Sequence, residues 1–246
     1  MGLFDLFSSS VEKKIERKRK TMLNEHQQQQ VRQEAIQDLV NLDCPEAIYA
    51  LVERLGVNFR DTIKNEQERE WVSHLLLTHF ESRSIEPLKR FIQEKQLIAG
   101  AIRCLEELIE TETYRDFLLE TLTRYAPADH RSESMREQLV DALSDLEDEA
   151  IVEPLLPYVL DHRDEVRIKV ISLLEQRALA GARAQEGIAR ALLDALLDPM
   201  ASGRIARAAG KALVEMRVNL KAWRGEVEGS LPEGFELHQN RLRVAQ

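Results

Sequence analysis

Residues 148–177 read DEAIVEPLLPYVLDHRDEVRIKVISLLEQR, and this stretch decides the fold. Apolar side chains fall on one side of a first predicted helix: Ile151, Val152, Leu155, Leu156 and Val159. After a charged turn, a second predicted helix places apolar residues at i, i+4, i+7 and i+8: Val166, Val170, Leu173 and Leu174. Two short helices with one apolar stripe each cannot bury both stripes alone, so they must stack on further copies.

The same pattern recurs along the chain. Helical pairs are predicted at 45–56 with 66–80, 84–95 with 97–110, 112–125 with 132–147, 149–160 with 164–179, and 185–198 with 203–217. Successive copies lie roughly 30–40 residues apart, which is the range of helical repeat arrays. A leading helix over 11–42 is expected to precede the array.

The turn between the two helices of 148–177 resembles that of a HEAT repeat. An Asp in the turn and a Val-Arg pair opening the second helix recur in that family, and here they are Asp161, Val166 and Arg167. The resemblance implies an all-α, right-handed α-solenoid of about five HEAT-like helical pairs. It also implies that Asp161 and Arg167 belong to a polar ladder between stacked repeats. The next copy departs from the pattern, since Gly203 replaces the Val before its basic residue.

The segment after Trp223 has a different pattern. In LPEGFELHQNRLRVAQ, apolar residues alternate with polar ones on both sides of a polar turn at Gln239–Asn240. This predicts a small β-hairpin that covers the last helix, as the terminal units of solenoids require. The predicted organisation is therefore an amphipathic, basic segment at 1–20, the helical repeat domain at 21–220, and a C-terminal cap at 221–246.

Composition favours a cytoplasmic protein. The 246 residues are 43% hydrophobic with a formal net charge of −9, which excludes disorder. No apolar run reaches the roughly 20 residues that a membrane span needs. The basic cluster follows the apolar N-terminus, the reverse of a signal peptide. Cys44 and Cys104 lie in apolar stripes without a motif, which is typical of reduced thiols.

The N-terminal segment combines an apolar hook with a polybasic stretch. The hook residues are Leu3, Phe4, Leu6 and Phe7, and six basic side chains follow within 13–20. Such a segment can dock on the first helical pair, bind a partner protein, or contact an anionic membrane surface. Myristoylation at Gly2 is not predicted because position 6 is Leu.

Candidate partner-binding residues come from the second helices, which line the concave face of HEAT-like arrays. The basic candidates are Arg163, Arg204, Arg207 and Lys211, and the acidic ones are Asp141 and Asp145. Ordinary solvated helix faces explain the same charges. Trp71 and His74 lie beside the stripe of their helix, so each is either exposed in the groove or packed in the core.

Catalytic and metal-binding motifs are not recognised in the sequence. The six histidines are scattered, and none is followed by Glu. His-Glu dipeptides hold two irons in the deoxyhypusine hydroxylases, an enzyme group built on the HEAT-like fold, so that activity is not expected. The sequence predicts no metal, no cofactor and no enzymatic activity.

The expected function is a scaffold or adaptor that binds a protein or peptide on its concave face. A peripheral membrane-surface adaptor using residues 1–20 is the alternative. A lyase-like protein resembling the bilin-attaching lyases is a lower alternative. Nucleic-acid binding, known in HEAT-like alkylpurine DNA glycosylases, is disfavoured because the array is acidic.

Overall fold

The computed structural model describes residues 3–245, with side chains from residue 10 onward. The chain forms thirteen α-helices in this range, together with short 3₁₀ turns: α1 (Leu3–Met22), α2 (Gln29–Leu42), α3 (Pro45–Glu53), α4 (Thr62–Leu75), α5 (Ile85–Glu94), α6 (Ala99–Leu108), α7 (Thr111–Thr123), α8 (Glu133–Ser144), α9 (Val152–Leu155), α10 (Asp164–Leu179), α11 (Gln185–Leu197), α12 (Gly203–Glu215) and α13 (Arg224–Val227). Two strands follow, β1 (Phe235–His238) and β2 (Arg241–Val244). The predicted all-α fold of helical pairs with a C-terminal hairpin is confirmed.

The chain divides into two compact units, residues 1–114 and 115–246. In the first unit, α1 packs on α2 and α3, and its Ile15 and Met22 are buried. The predicted leading helix over 11–42 is interrupted between Met22 and Gln29. The cause is Asn24, whose side-chain oxygen accepts the backbone N–H of His26 at 3.0 Å. Such side-chain bonds compete with helical ones and favour a turn.

A buried charge network joins α2, the turn after α3, and α4 in the first unit. The Glu68 carboxylate accepts from Arg32 at 2.7 Å and from Arg54 at 3.1 Å, and both guanidinium groups lie over the ring of Phe59. Burial lowers the pKa of Arg54. Because charges this deep are stable only when paired, the network fixes how these elements pack.

In the second unit, second helices of successive pairs pack on one another, α8 on α10 and α10 on α12. The predicted stripe of α10 is buried, with Val166, Val170 and Leu174 fully inaccessible to solvent. The first helix of this pair is α-helical only at Val152–Leu155, and 3₁₀ turns flank it. Proline lacks an N–H and collides with the preceding turn, so Pro154 and Pro157 account for the irregularity.

The C-terminal hairpin pairs Phe235 with Val244 and Leu237 with Leu242. Gln239 and Asn240 both have positive φ, as a two-residue hairpin turn requires. The hairpin packs on α12, where Gly210 provides room for the ring of Phe235. None of the described helices has the length and apolar character needed to cross a membrane.

Candidate metal centre

Two histidines and a glutamate meet at the turns that precede α8 and α10 in the second unit. His130 opens a 3₁₀ turn, Glu133 is the first residue of α8, and His162 lies in the turn before α10. One oxygen of Glu133, Oε1, lies 3.5 Å from His130 Nδ1 and 3.6 Å from His162 Nε2. The two imidazole centroids are 3.7 Å apart with an interplanar angle of 67°. Ligand-type atoms of all three residues lie within 4.8 Å of one another.

The buried Arg136 holds the first of these turns. Its guanidinium donates to the Asp161 carboxylate at 2.6 and 3.0 Å, and neither side chain is exposed. The same guanidinium donates to the carbonyl oxygens of Pro127 and Asp129 and to the Ser132 hydroxyl oxygen. Arg136 therefore connects the turn carrying His130 to the turn carrying His162.

Further hydrogen bonds fix the second turn. The backbone N–H of His162 donates to the Pro127 carbonyl at 2.9 Å, and the backbone N–H of Arg163 donates to Asp161 at 2.9 Å. The Tyr158 hydroxyl donates to the carbonyl of Leu122 at 2.8 Å, and burial raises the pKa of Tyr158 to about 12, so this donor stays protonated. The two histidines are thus brought together by hydrogen-bonded turns that rest on the buried side chains of Arg136, Tyr158 and Asp161.

The side chains of the cluster are accessible to solvent. His130 and His162 are 66% and 50% exposed, and Glu133 is 28% exposed. Two imidazoles and one carboxylate are a common ligand set for catalytic zinc, in which a water or substrate occupies the fourth position. The same set with open positions also binds iron(II) in non-haem oxygenases.

The predicted ladder residues lie at the contacts between helical pairs. Asp161 pairs with Arg136 as described above, and the buried Arg167 pairs with Asp198 of the following turn at 2.9 Å. Asp161 thus contacts the Arg136 guanidinium, which connects the turns that carry His130 and His162. The ladder role of Asp161 and Arg167 stays a prediction.

Several of the predicted partner-binding charges form ion pairs with neighbouring helices. Arg163 lies 3.0 Å from Glu137, Arg204 lies 3.9 Å from Glu165, and Asp141 pairs with Lys169. The remaining candidates make no ion pair with any other described residue and are exposed: Asp145, Arg207 and Lys211. Of the whole set, Arg163 is the one that lies beside the histidine cluster.

Trp71 and His74 lie in α4, in the first unit. Trp71 is half-buried, and His74 is exposed. His74 lines a cavity of about 370 Å³ with charged residues and the buried Cys104. Their role as binding residues stays a prediction.

The side chains of the N-terminal hook lie outside the described residues. Three members of the basic stretch that follows form ion pairs within the first unit: Lys18 with Asp38, Arg19 with Glu53, and Lys20 with Glu16.

No family model matches the chain, and no curated protein matches it. Among solved structures, the chain is similar to human deoxyhypusine hydroxylase in complex with glycerol. The sequence identity is 15% and the TM-score 0.32, over 92% of this chain and 93% of that chain. This likeness carries no argument about substrate or mechanism, so the functional argument rests on the site.

The prediction of a protein that binds no metal is wrong, because His130, Glu133 and His162 together form a metal-type ligand set. The prediction of a non-catalytic scaffold or adaptor for a protein or peptide is also wrong. The ligand set is of an open type that is common in catalytic metal sites. The alternatives named beside the scaffold prediction are therefore not proposed either: a membrane-surface adaptor, a lyase-like protein and a nucleic-acid binder.

Sequence reasoning missed the cluster because its members belong to two different helical pairs. A weak signal was present: His130 and Glu133 are three residues apart at a helix start, and His162 follows the ladder residue Asp161. Stacked repeats place such turns side by side.

Proposed function

We propose that the protein is a metal-dependent hydrolytic enzyme whose metal ion is held by His130, Glu133 and His162. The observation that carries the proposal is the position of Glu133 Oε1, 3.5 and 3.6 Å from one nitrogen of each imidazole. A metal ion bound at 2.0–2.2 Å in a tetrahedral site separates its ligand atoms by about 3.4 Å. The two distances from Glu133 Oε1 to the imidazole nitrogens are therefore close to those that a zinc-type ion needs.

Hydrolysis is the chemistry that an open site of this kind supplies. A bound divalent ion lowers the pKa of its water to near 7 and polarises a carbonyl or phosphoryl oxygen. The exposure of both imidazoles leaves room for that water and for a substrate. The chain's own part is to orient the three ligands through the Arg136–Asp161 pair, which keeps the two turns together.

An iron(II) oxygenase uses the same ligand types. Its reactive intermediates require an enclosed site from which water is excluded. The exposure of His130 and His162 therefore favours hydrolysis. Oxygen consumption by the iron(II)-loaded protein would reverse this preference.

Zinc binding tests the ligand assignment. Calorimetric titration of the metal-free protein should give one site, and His130→Ala or His162→Ala should weaken it by at least the roughly 10–100-fold that loss of a supporting group costs. His26→Ala is the matched control, because His26 Nε2 lies 3.7 Å from Glu25 Oε1 and no third ligand joins that pair within the described residues. Equal affinities for all four proteins would refute the assignment.

Hydrolysis of p-nitrophenyl acetate and p-nitrophenyl phosphate tests the activity. The zinc-loaded protein should hydrolyse at least one of them, chelation should abolish the activity, and Glu133→Gln should reduce it strongly. Activity that survives chelation, or no activity on either compound with metal bound, would contradict the proposal.

We also propose that the chain is a member of the HEAT-repeat group, with Asp161 and Arg167 in its polar ladder. The support is that one Asp–Arg pair links α8 to the turn before α10, and a second links α10 to the turn before α12. Asp161→Ala and Arg167→Ala should each destabilise the second unit in urea, whereas Arg207→Ala, on an exposed residue, should not.

A further inference from the structure

We propose that Arg163 is a positioning residue that makes Glu133 bind the metal through a single oxygen. This inference rests on the proposed metal centre. The two oxygens of Glu133 face different groups: Oε1 faces His130 and His162, whereas Oε2 lies 3.9 Å from Arg163 Nη1. One oxygen is thus directed to the metal and the other to a guanidinium.

Arg163 is itself held in place from three sides. Its Nη2 lies 3.0 Å from Glu137 and its backbone N–H donates to Asp161, while Glu165 lies 3.4 Å from Nε as a charge neighbour without a hydrogen bond. Glu137 is one helical turn beyond Glu133 on α8, so the guanidinium lies across the first turn of that helix. A positive charge fixed in this way attracts Oε2 and so opposes rotation of the Glu133 carboxylate.

The position of Arg163 affects the fourth coordination position, which the three proposed ligands leave open. A carboxylate that rotates freely can bind an ion through both oxygens, as in many calcium sites. Electrostatic attraction of Oε2 to Arg163, 3.9 Å away, leaves three donor atoms and a free position for water or substrate. Arg163 thereby favours a small, four-coordinate ion such as zinc, and it keeps the site open.

Cobalt(II) titration followed by absorption spectroscopy tests this role, because d–d band intensity reports coordination number. Arg163→Met should lower the band intensity, because the second oxygen of Glu133 then binds the ion and the coordination number rises. Arg163→Lys, which keeps the positive charge, should partly restore the intensity. Lys169→Met is the matched control, because Lys169 pairs with Glu137 and Asp141 in the same network but not with Glu133.

Circular dichroism of each variant controls for folding. The proposal is overturned if Arg163→Met binds cobalt like the wild type with the same spectrum, if Lys169→Met gives the same change, or if Arg163→Lys restores nothing. Failure of the proposed function gives a different result: the wild-type protein binds no cobalt, and Arg163 then has no metal ligand to position. A normal wild-type spectrum with an unaffected Arg163→Met variant refutes the positioning role alone.

Discussion

Arg136→Met removes the cation that connects the two turns of the candidate metal centre. In the folded protein the Arg136 and Asp161 side chains are both fully buried. The variant leaves the Asp161 carboxylate with one donor near it, the backbone N–H of Arg163. Removing one partner of a buried pair costs about 3–5 kcal/mol, because the remaining charge is desolvated without compensation.

Two further variants separate the effect of losing charge from the effect of losing hydrogen-bonding atoms. Asp161→Asn keeps hydrogen-bonding atoms at the same place, so a smaller loss of about 1–3 kcal/mol is expected. The double variant Arg136→Met with Asp161→Leu removes both charges, and its loss should be smaller than the sum of the single losses. Arg131→Met is the matched control, since Arg131 is exposed in the same turn and makes no ion pair with a described residue.

Urea unfolding measures these free energies. Hydrogen exchange then shows where the structure loosens, and peptides covering 127–136 and 158–166 should exchange faster in Arg136→Met. Zinc affinity should fall in the same variant, because both histidine turns lose their common support. A free energy of unfolding within 1 kcal/mol of the wild type, or additive losses in the double variant, would refute the reasoning.

Two further predictions concern the second unit. A Cβ on Gly210 would collide with the ring of Phe235, so Gly210→Ala should destabilise the protein by about 1–3 kcal/mol in urea, and adding Phe235→Leu should recover part of the loss. A loss unaffected by Phe235→Leu would contradict this packing. The backbone N–H of Ala150 and the guanidinium of Arg115 lower the pKa of Asp148. The Asp148 carboxylate therefore contributes to the free energy of unfolding above its unfolded-state pKa, and this contribution is lost as the pH falls through its folded-state pKa. Asp148→Asn should be less stable than the wild type at pH 7, and the difference should shrink as the pH approaches 3; a difference independent of pH would refute the assignment.

The helices were predictable because their apolar residues recur with the period of an α-helix. Val166, Val170 and Leu174 are buried as their spacing indicates, and the alternation of Phe235 and Leu237 gives a hairpin. The apolar periodicity contains no information about side chains that compete with the helix for backbone N–H groups. For that reason it missed the turn that Asn24 makes within the predicted leading helix.

The candidate metal centre could not be predicted in the same way. Its geometry depends on how two turns of different helical pairs face each other, and that is set by the buried Arg136–Asp161 pair. In sequence, Arg136 looks like one of many solvated helix residues. Only Asp161 was recognised, from its resemblance to a ladder residue, and this resemblance contained no information about His130.

X-ray absorption at the zinc edge tests the central claim most directly, because scattering from imidazole rings allows the bound histidines to be counted. The zinc-loaded protein should show two imidazoles and oxygen ligands at about 2.0–2.2 Å, with one imidazole fewer in His162→Ala and no change in His26→Ala. An imidazole count that is the same in His162→Ala as in the wild type would contradict the account.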